Sequence, residues 1–576
     1  MSGVRRGLLT RLPALAVGAV ACVGMLAALG PVAPARADGG GGSLPPAAAR
    51  AVREAKARKD PARLAAAAKA ARPVVEPVAP AAARSAEPDG LVGSGMWGSS
   101  PWEYRVENGQ RVLTLHAGTI GKTYSPGDWY SGDSVADMLP DKGSGLSVIR
   151  IDPGVAAAYG EHLFAGLPSL LRIEGGGNLD VSKVTSTYRM FEDDVALQSV
   201  DVGGWDMSNV TNAAAMFKNC RSLRSLDVGN WNTSKVSQTG WGGEDQYDRG
   251  DVQYNEADPM HETQGMFEND SMLTFLDVGR WDVGKLVDAA GMFRGDTSLQ
   301  YLDVRDWNTK TLSYTAHMFE HDAMLDNLDT SGWSLLSNQE TAYMFRDCGR
   351  LKYINLDHIA AYNGGFDSMV YMFADDPSLV SVDMSYSEYS AVKYIGHMFA
   401  NDPALVSVNM SHTSIGEVTR ADYMFAGDRS LTDVNFRGSC ISVRFTPAGD
   451  EHETRLEHMF DGASSLSFLD LSALSSASPE ENPPYTHVHS EDMFAGTTSL
   501  HTLVLPRDAY HWMANSGLPD VPVAGSLVPG SSQVVASSRW VALNGSAKGS
   551  MYTSQQLMDM GPRPEATVYQ WDMRDA

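Results

Sequence analysis

The chain has 576 residues, 43% apolar and 20% charged, and its 45 Lys and Arg against 70 Asp and Glu give a formal charge of −25. Composition this close to the globular average excludes a wholly disordered, fibrous or polytopic membrane protein. The acidic balance argues against nucleic acid as a partner, because phosphate-backbone binding releases counterions only where Lys and Arg cluster.

Arg5, Arg6 and Arg11 precede an apolar run from Leu12 to Leu29, and Ala35, Arg36 and Ala37 form a small-x-small cleavage pattern. Residues 1–37 therefore read as a secretory signal peptide, which predicts a secreted or loosely surface-associated protein with no transmembrane segment after cleavage. Residues 38–90 are rich in Ala, Pro and Gly, with too few large apolar side chains to offset their ordering entropy, and read as a disordered spacer. Residues 91–160 read as an N-terminal cap containing a hairpin, Trp102 to Val106 and Arg111 to Leu115, that turns at Asn108 and Gly109.

Residues 161–505 are a repeat. Met-Phe pairs begin at Met190, Met216, Met266, Met292, Met318, Met344, Met372, Met398, Met424, Met459 and Met493, with Leu163 and Phe164 as an earlier copy, and most spacings are 26 residues. A Leu always follows seven residues after the first member of the pair and opens a segment Leu-x-x-Φ-(Asp/Asn)-Φ, where Φ is apolar, as in Leu223, Leu226, Asp227 and Val228. That in-out-in alternation predicts a short strand with one buried face. A Trp turn such as Trp205 or Trp231 follows, and its Asp, Asn, Ser and Thr residues are N-cap candidates, so the return to Met-Phe reads as a short helix.

One such coil cannot bury its own apolar set, whereas stacked coils can. The predicted class is α/β: a leucine-rich-repeat solenoid with one parallel strand and one short helix per 26-residue coil, about twelve coils, capped at both ends. Residues 506–576 read as the C-terminal cap or a small module. Cys220 and Cys348 fill equivalent slots four coils apart, about 19 Å at the strand spacing, which is too far for a disulfide. Both are expected to be free, buried thiols.

The repeat Met-Phe-x-x-Cys/Asp-x-x-Leu-x-x-Leu-Asp-Val-x-x-Trp-Asn-Thr-Ser resembles that of the BspA-type leucine-rich-repeat surface proteins, over about Leu163 to Leu505. The segment Trp97 to Trp102 and the tail from Met551 to Met558 resemble flanking segments of that family. The resemblance implies an exported surface protein, with adhesion to host or neighbouring cells as its role and a host extracellular-matrix protein, an integrin or a surface glycan as its partner. Many relatives end in a sorting signal, which this sequence does not show.

Two groups of candidate binding residues stand out. The outward strand positions form an Asp/Asn row that includes Asp227, Asp277 and Asp303, flanked two residues earlier by Phe275, Tyr301, Tyr353 and Phe468. A column of carboxylates about 4.8 Å apart repels itself and invites a cation or a basic ligand. Calcium is a candidate cation for the row, although no calcium-loop motif is present. The alternative is that the row reflects only the geometry of the repeat. The second group lies where the spacing from Met216 to Met266 doubles, an acidic insertion at about 238–261 that contains Arg249, Gly250 and Asp251. That tripeptide is an integrin-recognition motif when displayed on an exposed turn, and tripeptides also recur by accident.

Catalytic patterns fail. The segment from Gly118 to Thr123 lacks the first Gly of a phosphate loop, and His452 with Glu453 lacks the second His of a zinc-protease helix. His487 and His489 would make only a two-ligand metal site. Carboxylates in neighbouring coils match glycosidase separations, but every coil does so equally, which identifies none. A further row, His317, Tyr343, Tyr371, His397, Tyr423 and His458, reads as a stacking ladder on the helical side. The expectation is a monomeric adhesin without enzymatic activity or cofactor. The alternatives are a passive surface-layer or spacer protein and a cell-envelope hydrolase.

Overall fold

A computed structural model describes residues 89–121, 134–240, 263–326, 328–330, 332–335, 340–357, 368–389, 392–443, 454–476 and 488–576. The expectations for the signal peptide, for nearly all of the spacer, and for Arg249, Gly250 and Asp251 fall outside these residues.

The N-terminal part is a sheet that begins antiparallel and turns parallel. Strands β1 (Gly90–Trp97), β2 (Ser100–Glu107) and β3 (Gln110–Leu115) form a meander, and β2 meets β3 through Asn108 and Gly109 at φ 51° and 74°. Positive φ at both turn residues matches the twist of a two-residue hairpin, which is why Asn-Gly marks it in the sequence. After β4 (Gly118–Ile120), β5 (Leu146–Ile151) pairs parallel with β3, and following β6 (Val155–Ala157), β7 (Arg172–Glu174) and β8 (Ser199–Val200) continue the parallel side. A short helix, α1 (Val135–Met138), is capped by Ser134, whose hydroxyl accepts from the Asp137 N–H.

Beyond β8 the parallel pairing between repeats continues in separate groups. The rungs shrink to single bridges, Leu226 to Leu276 and Phe275 to Tyr301, then widen into the paired strands Tyr353–Asn355, Ser381–Asp383, Ser407–Asn409 and Asp433–Asn435. Partners lie one repeat apart, and the Leu that opens every segment is at most 1% exposed in all twelve copies. The sheet breaks into separate groups along the chain rather than running unbroken.

The expected helix per coil is absent, and the α/β class is corrected to mostly strand. Among the described residues the α-helices are α1 and α2 (Ser554–Met558), both outside the repeats. Where the helix was expected, residues four before Met-Phe, with Gln238 standing in for the copy that carries the insertion, form a second parallel ladder: Ser186 to Asn212 to Gln238 to Asp288 to Tyr314 to Glu340, and Ser368 to Tyr394 to Arg420 to Arg455.

The physical reason is a pair of left-handed residues in the turn. The residue before Met-Phe has φ between 53° and 63° at Arg189, Ala215, Gly291, His317, Tyr343, Tyr371, His397, Tyr423 and His458, and the residue three after Met has φ of 57° to 66° at Asp193, Asn219, Asn269, His321, Asp347, Asp375 and Asn401. Each such residue ends a right-handed helix, and two so close leave no room for a turn of one. The Asn/Asp preference at the second position is the sequence trace of this geometry.

These turns stack directly. From Phe164 to Phe460, the N–H of every Phe donates to the carbonyl of the next copy's Met at 2.8–3.0 Å. The Phe rings form a continuous column, with centroids 5.1–6.0 Å apart and planes within 19° of parallel. Trp205, Trp231, Trp281, Trp307 and Trp333 each donate Nε1–H to a carbonyl of the preceding coil at 2.9–3.1 Å, which satisfies the one polar atom a buried indole carries. Phe217 bonds Met266 directly, so the stack closes across the insertion.

The C-terminal end is sealed by a sheet. Strand Thr567–Asp575 pairs antiparallel with the last repeat strand, Thr502–Leu505, and with Gln533–Ala542. α2 packs beside it behind a Thr553–Gln556 capping box. The exposed backbone of the final coil is thereby paired.

Candidate binding face

The outward row is built from the ends of the ladder strands. Phe275 and Tyr301 bridge adjacent coils, so with Asp277 and Asp303 they form one cluster of two half-buried rings and two carboxylates. Tyr353 stands two coils farther on, and Phe468, 44% exposed, is separated from it by coils that carry Ser381, Ser407 and Asp433 at the same position. Asp227 lies one coil before Asp277. The ten candidates thus resolve into one contiguous patch, two outliers and the Arg249–Asp251 tripeptide outside the described residues.

The Asp/Asn row is tied down locally. In the common pattern the side-chain oxygen accepts the backbone N–H two residues on, as in Gly203 to Asp201, Arg305 to Asp303, Asp357 to Asn355, Ser385 to Asp383 and Ser472 to Asp470 at 2.9–3.4 Å. These are Asx turns that end the strand. Asn435 donates to Asn409, and Asn409 to Asp383, both at 3.0 Å, which links successive coils. Arg280 lies 3.6 Å from Asp277, and Arg305 lies 3.2 Å from Asp303. A Cβ on Gly229 would come within 2.6 Å of the Asp277 Oδ2, so the recurring Gly makes room for the next coil's carboxylate. The row is compensated by turns, neighbours and Arg, and the self-repulsion inferred from the sequence is largely relieved.

Three other ladders carry the unusual electrostatics. The first was missed in the sequence. The residue four after Met is Asp194, Asp270, Asp296, Asp322, Asp376, Asp402 and Asp428, all fully buried. Leu167, Asp270, Asp296, Cys348, Asp376 and Asp402 each donate their backbone N–H to the Oδ1 of the next copy's Asp at 2.6–2.9 Å, while the Oδ2 atoms of these Asp have no partner among the described residues. Burial pushes these carboxyls well above the usual range. Cys220 and Cys348 fill the same slot and are free and buried as expected, each Sγ–H donating at 3.1 Å to the carbonyl of the preceding coil's Phe.

The second is the residue two after Met, which alternates in sign over six consecutive copies: Glu192, Lys218, Glu268, Arg294, Glu320, Arg346. Lys218 lies 3.3 Å from Glu268, Arg294 lies 2.8 Å from Glu320, and Arg346 lies 3.8 Å from Glu320. Burial raises the Glu320 pKa, but the His317 hydrogen bond at 2.7 Å and the charges of His317, Arg294 and His321 outweigh it and hold the carboxyl at about 2. An alternation of this kind favours one order of coils, because a slip by one coil would put like charges in contact.

The third is the His/Tyr row, which is a stacking ladder as read, with centroids 4.4–5.1 Å apart, but it lies on the left-handed turns rather than on helices. Arg346 sits over both Tyr343 and Tyr371.

The remaining motifs give no site. Gly118 to Ile120 is a strand paired with β6, not a phosphate loop. His489 faces Glu491 at 3.8 Å, and His452, Glu453 and His487 lie outside the described residues. Among the described residues no group of three or more His, Cys, Asp or Glu is placed to hold a metal ion, and no helix is long and apolar enough to cross a membrane.

A family model described as a Mycoplasma protein of unknown function, DUF285, matches three stretches, residues 162–241, 250–358 and 357–436. The chain is similar to that family over somewhat less than half its length, all of it within the repeats. No curated protein matches it in sequence. Among solved structures it is similar to a leucine-rich repeat protein from Eubacterium ventriosum, at 12% identity and TM-score 0.29, covering 70% of this chain and 95% of that one. It is also similar to a chain of the Toll–Spätzle complex of Drosophila, at 15% identity and TM-score 0.21, covering 59% of this chain and 46% of that one. TM-scores of this size carry no weight, and the fold rests on the pairing described above.

Proposed function

We propose that this is an exported leucine-rich-repeat surface protein of the BspA type that binds a host or neighbouring-cell protein or glycan through the outward strand face. The observation that carries this reading is the contiguous cluster of Phe275, Tyr301, Asp277 and Asp303 on adjacent coils. Half-buried rings beside fixed carboxylates offer apolar contact and hydrogen-bond acceptors at low entropic cost, because the stack already orders them. A solenoid supports such a surface by repeating it at a fixed spacing.

The Asp carboxyls four residues after Met, which burial pushes well above the usual range, are sealed inside the stack beyond the reach of a substrate, so they support no general-acid role. The test is saturable binding of the purified chain to fibronectin, fibrinogen, collagen and integrin-bearing cells. Saturation with at least one of them is expected. Linear, non-saturable signal with all of them would favour a passive surface or spacer role.

A further inference from the structure

The Met-Phe column, the Trp turns and the His/Tyr row spend their rings on one another. Phe275 and Tyr301 do not: they are half-buried on the outward face and stack on no other ring among the described residues. Beside them lie two acid–base pairs. Arg280 Nη2 is 3.6 Å from Asp277 Oδ2, and Arg305 Nη2 is 3.2 Å from Asp303 Oδ2. Gly229 of the preceding coil lies under the first pair, where an added Cβ would come within 2.6 Å of the Asp277 carboxylate and 3.0 Å of the Arg280 guanidinium. That pair rests on bare backbone, and the side chains of Arg280 and Asp277 stay 65% and 47% exposed. Tyr301 is near enough to Asp277, Asp303 and Arg305 to feel their charges, so rings and pairs form one surface.

The charges of this surface are nearly balanced. Over three adjacent coils, residues 224–230, 274–280 and 300–306, three Arg stand against four Asp, whereas the whole chain carries −25. An acidic ligand meets Arg that already face Asp, and a basic one reaches Asp277 or Asp303 only by displacing its Arg. A hydroxyl group needs neither exchange. A carboxylate has about four acceptor sites and a guanidinium five donors, and the contacts within each pair occupy only some of them.

We propose, resting on the binding role given above to the outward face, that its ligand is a polysaccharide of neutral sugars. The C–H side of a sugar ring lies on Phe275 or Tyr301, and its hydroxyls meet Asp277 with Arg280 and Asp303 with Arg305. Each pair sets an acceptor and a donor side by side, which is what two adjacent hydroxyls take. The negative face of an aromatic ring attracts the slightly positive hydrogens of the sugar's apolar side. The pairs recur at the coil spacing of about 4.8 Å, close to the length of one sugar unit in an extended chain, so successive sugars meet successive pairs. The stack orders rings and pairs before the ligand arrives, which lowers the entropic cost of binding. A neutral polymer also escapes the repulsion that a chain of −25 exerts on an acidic one.

The test is affinity electrophoresis of the purified chain through gels containing a mannan, a galactan, a β-glucan or an amylose. Heparin and polysialic acid serve as charged comparisons, and fibronectin binding is measured in parallel. At least one neutral polysaccharide should retard the chain saturably, and its affinity should change less than about twofold between about 0.05 and about 0.5 M salt, because binding pairs no charges. Phe275→Ala with Tyr301→Ala should weaken that binding at least about tenfold, and Arg280→Ala at least about threefold, with melting unchanged in both. Saturable fibronectin binding that the double variant loses, with no retardation by any neutral polysaccharide, would overturn the sugar assignment and leave the face standing. Retardation by heparin or polysialic acid that fades with salt, in place of the neutral polymers, would overturn it as well. Neutral-polysaccharide binding untouched by both variants, or no saturable binding to anything, would overturn the sugar assignment and the face together.

Discussion

The buried Asp column makes stability depend on pH in a way that one substitution isolates. Asp402 is fully buried, its Oδ1 accepts the Asp376 N–H at 2.7 Å, and its own N–H donates to Asp428 Oδ1 at 2.8 Å. Burial, with Asp376 and Asp428 close by, pushes its pKa well above the usual value. A carboxyl whose folded pKa is raised stabilises the protein fully below the unfolded pKa of about 3.9. That contribution is lost as pH rises towards the folded pKa. While Asp402 stays protonated in the folded state and ionised in the unfolded one, it costs about 1.4 kcal/mol per pH unit.

Asp402→Asn keeps an oxygen on the Asp376 N–H and removes the proton. Its new amide has an acceptor in reach if it follows the cysteine pattern, in which the slot donates to the preceding coil's Phe carbonyl. Any fixed cost of that change cancels between pH values. Relative to wild type, the variant should therefore gain stability as pH rises above the unfolded carboxyl value, with a slope of at most about 1.4 kcal/mol per pH unit, read from urea denaturation at each pH. Parallel stability curves would show that Asp402 is ionised inside the stack and would refute the reasoning.

Phe345→Ala removes a ring stacked 5.5 Å from both Phe319 and Phe373, and should cost about 3–5 kcal/mol, whereas truncating the exposed Phe468 should cost within about 0.5 kcal/mol; thermal denaturation distinguishes them. Glu320→Gln leaves Arg294 and Arg346 without their shared carboxylate and should cost about 3 kcal/mol at neutral pH. The Glu320 pKa is depressed to about 2, so its contribution is present above the usual Glu value and fades as pH falls towards 2; the penalty should shrink on acid titration. Because turns and Arg already compensate the outward Asp row, millimolar calcium should move the melting temperature by less than about 2 °C, and a larger rise would reveal a site.

The ladder strand, the Trp turn, the buried Leu and the Asn108–Gly109 hairpin were legible because their apolar period and turn residues are local signals. The helix was misread for an identifiable reason: Ser, Asn and Asp after Trp serve as N-caps and as Asx-turn formers alike, and only the left-handed residues flanking Met-Phe decide between them. Those before Met-Phe are mostly Tyr, His or Arg, which do not signal a left-handed residue, and only the Asn and Asp at the second position do. β1 was passed over because its glycines suppress strand propensity, which the Trp102 ring restores across the pair.

Of the candidate face, the grouping of Phe275 with Tyr301 followed from the repeat spacing. The compensation of the Asp row did not, since it depends on the next coil's carboxylate settling over Gly203, Gly229 and Gly279. The buried Asp column and the alternating charge ladder were both present at fixed offsets from Met-Phe. The buried slot was marked by Cys220 and Cys348, but the Asp of the other copies was not carried to the same conclusion, because outward-facing rows look like the place for charge.

The most direct test of the account compares three proteins on one ligand that binds saturably: wild type, Phe275→Ala with Tyr301→Ala, and Asp251→Glu. The account predicts at least a tenfold loss of affinity for the double variant with unchanged melting, and wild-type affinity for Asp251→Glu. Binding retained by the double variant and lost with Asp251→Glu would contradict it and move the site to Arg249, Gly250 and Asp251.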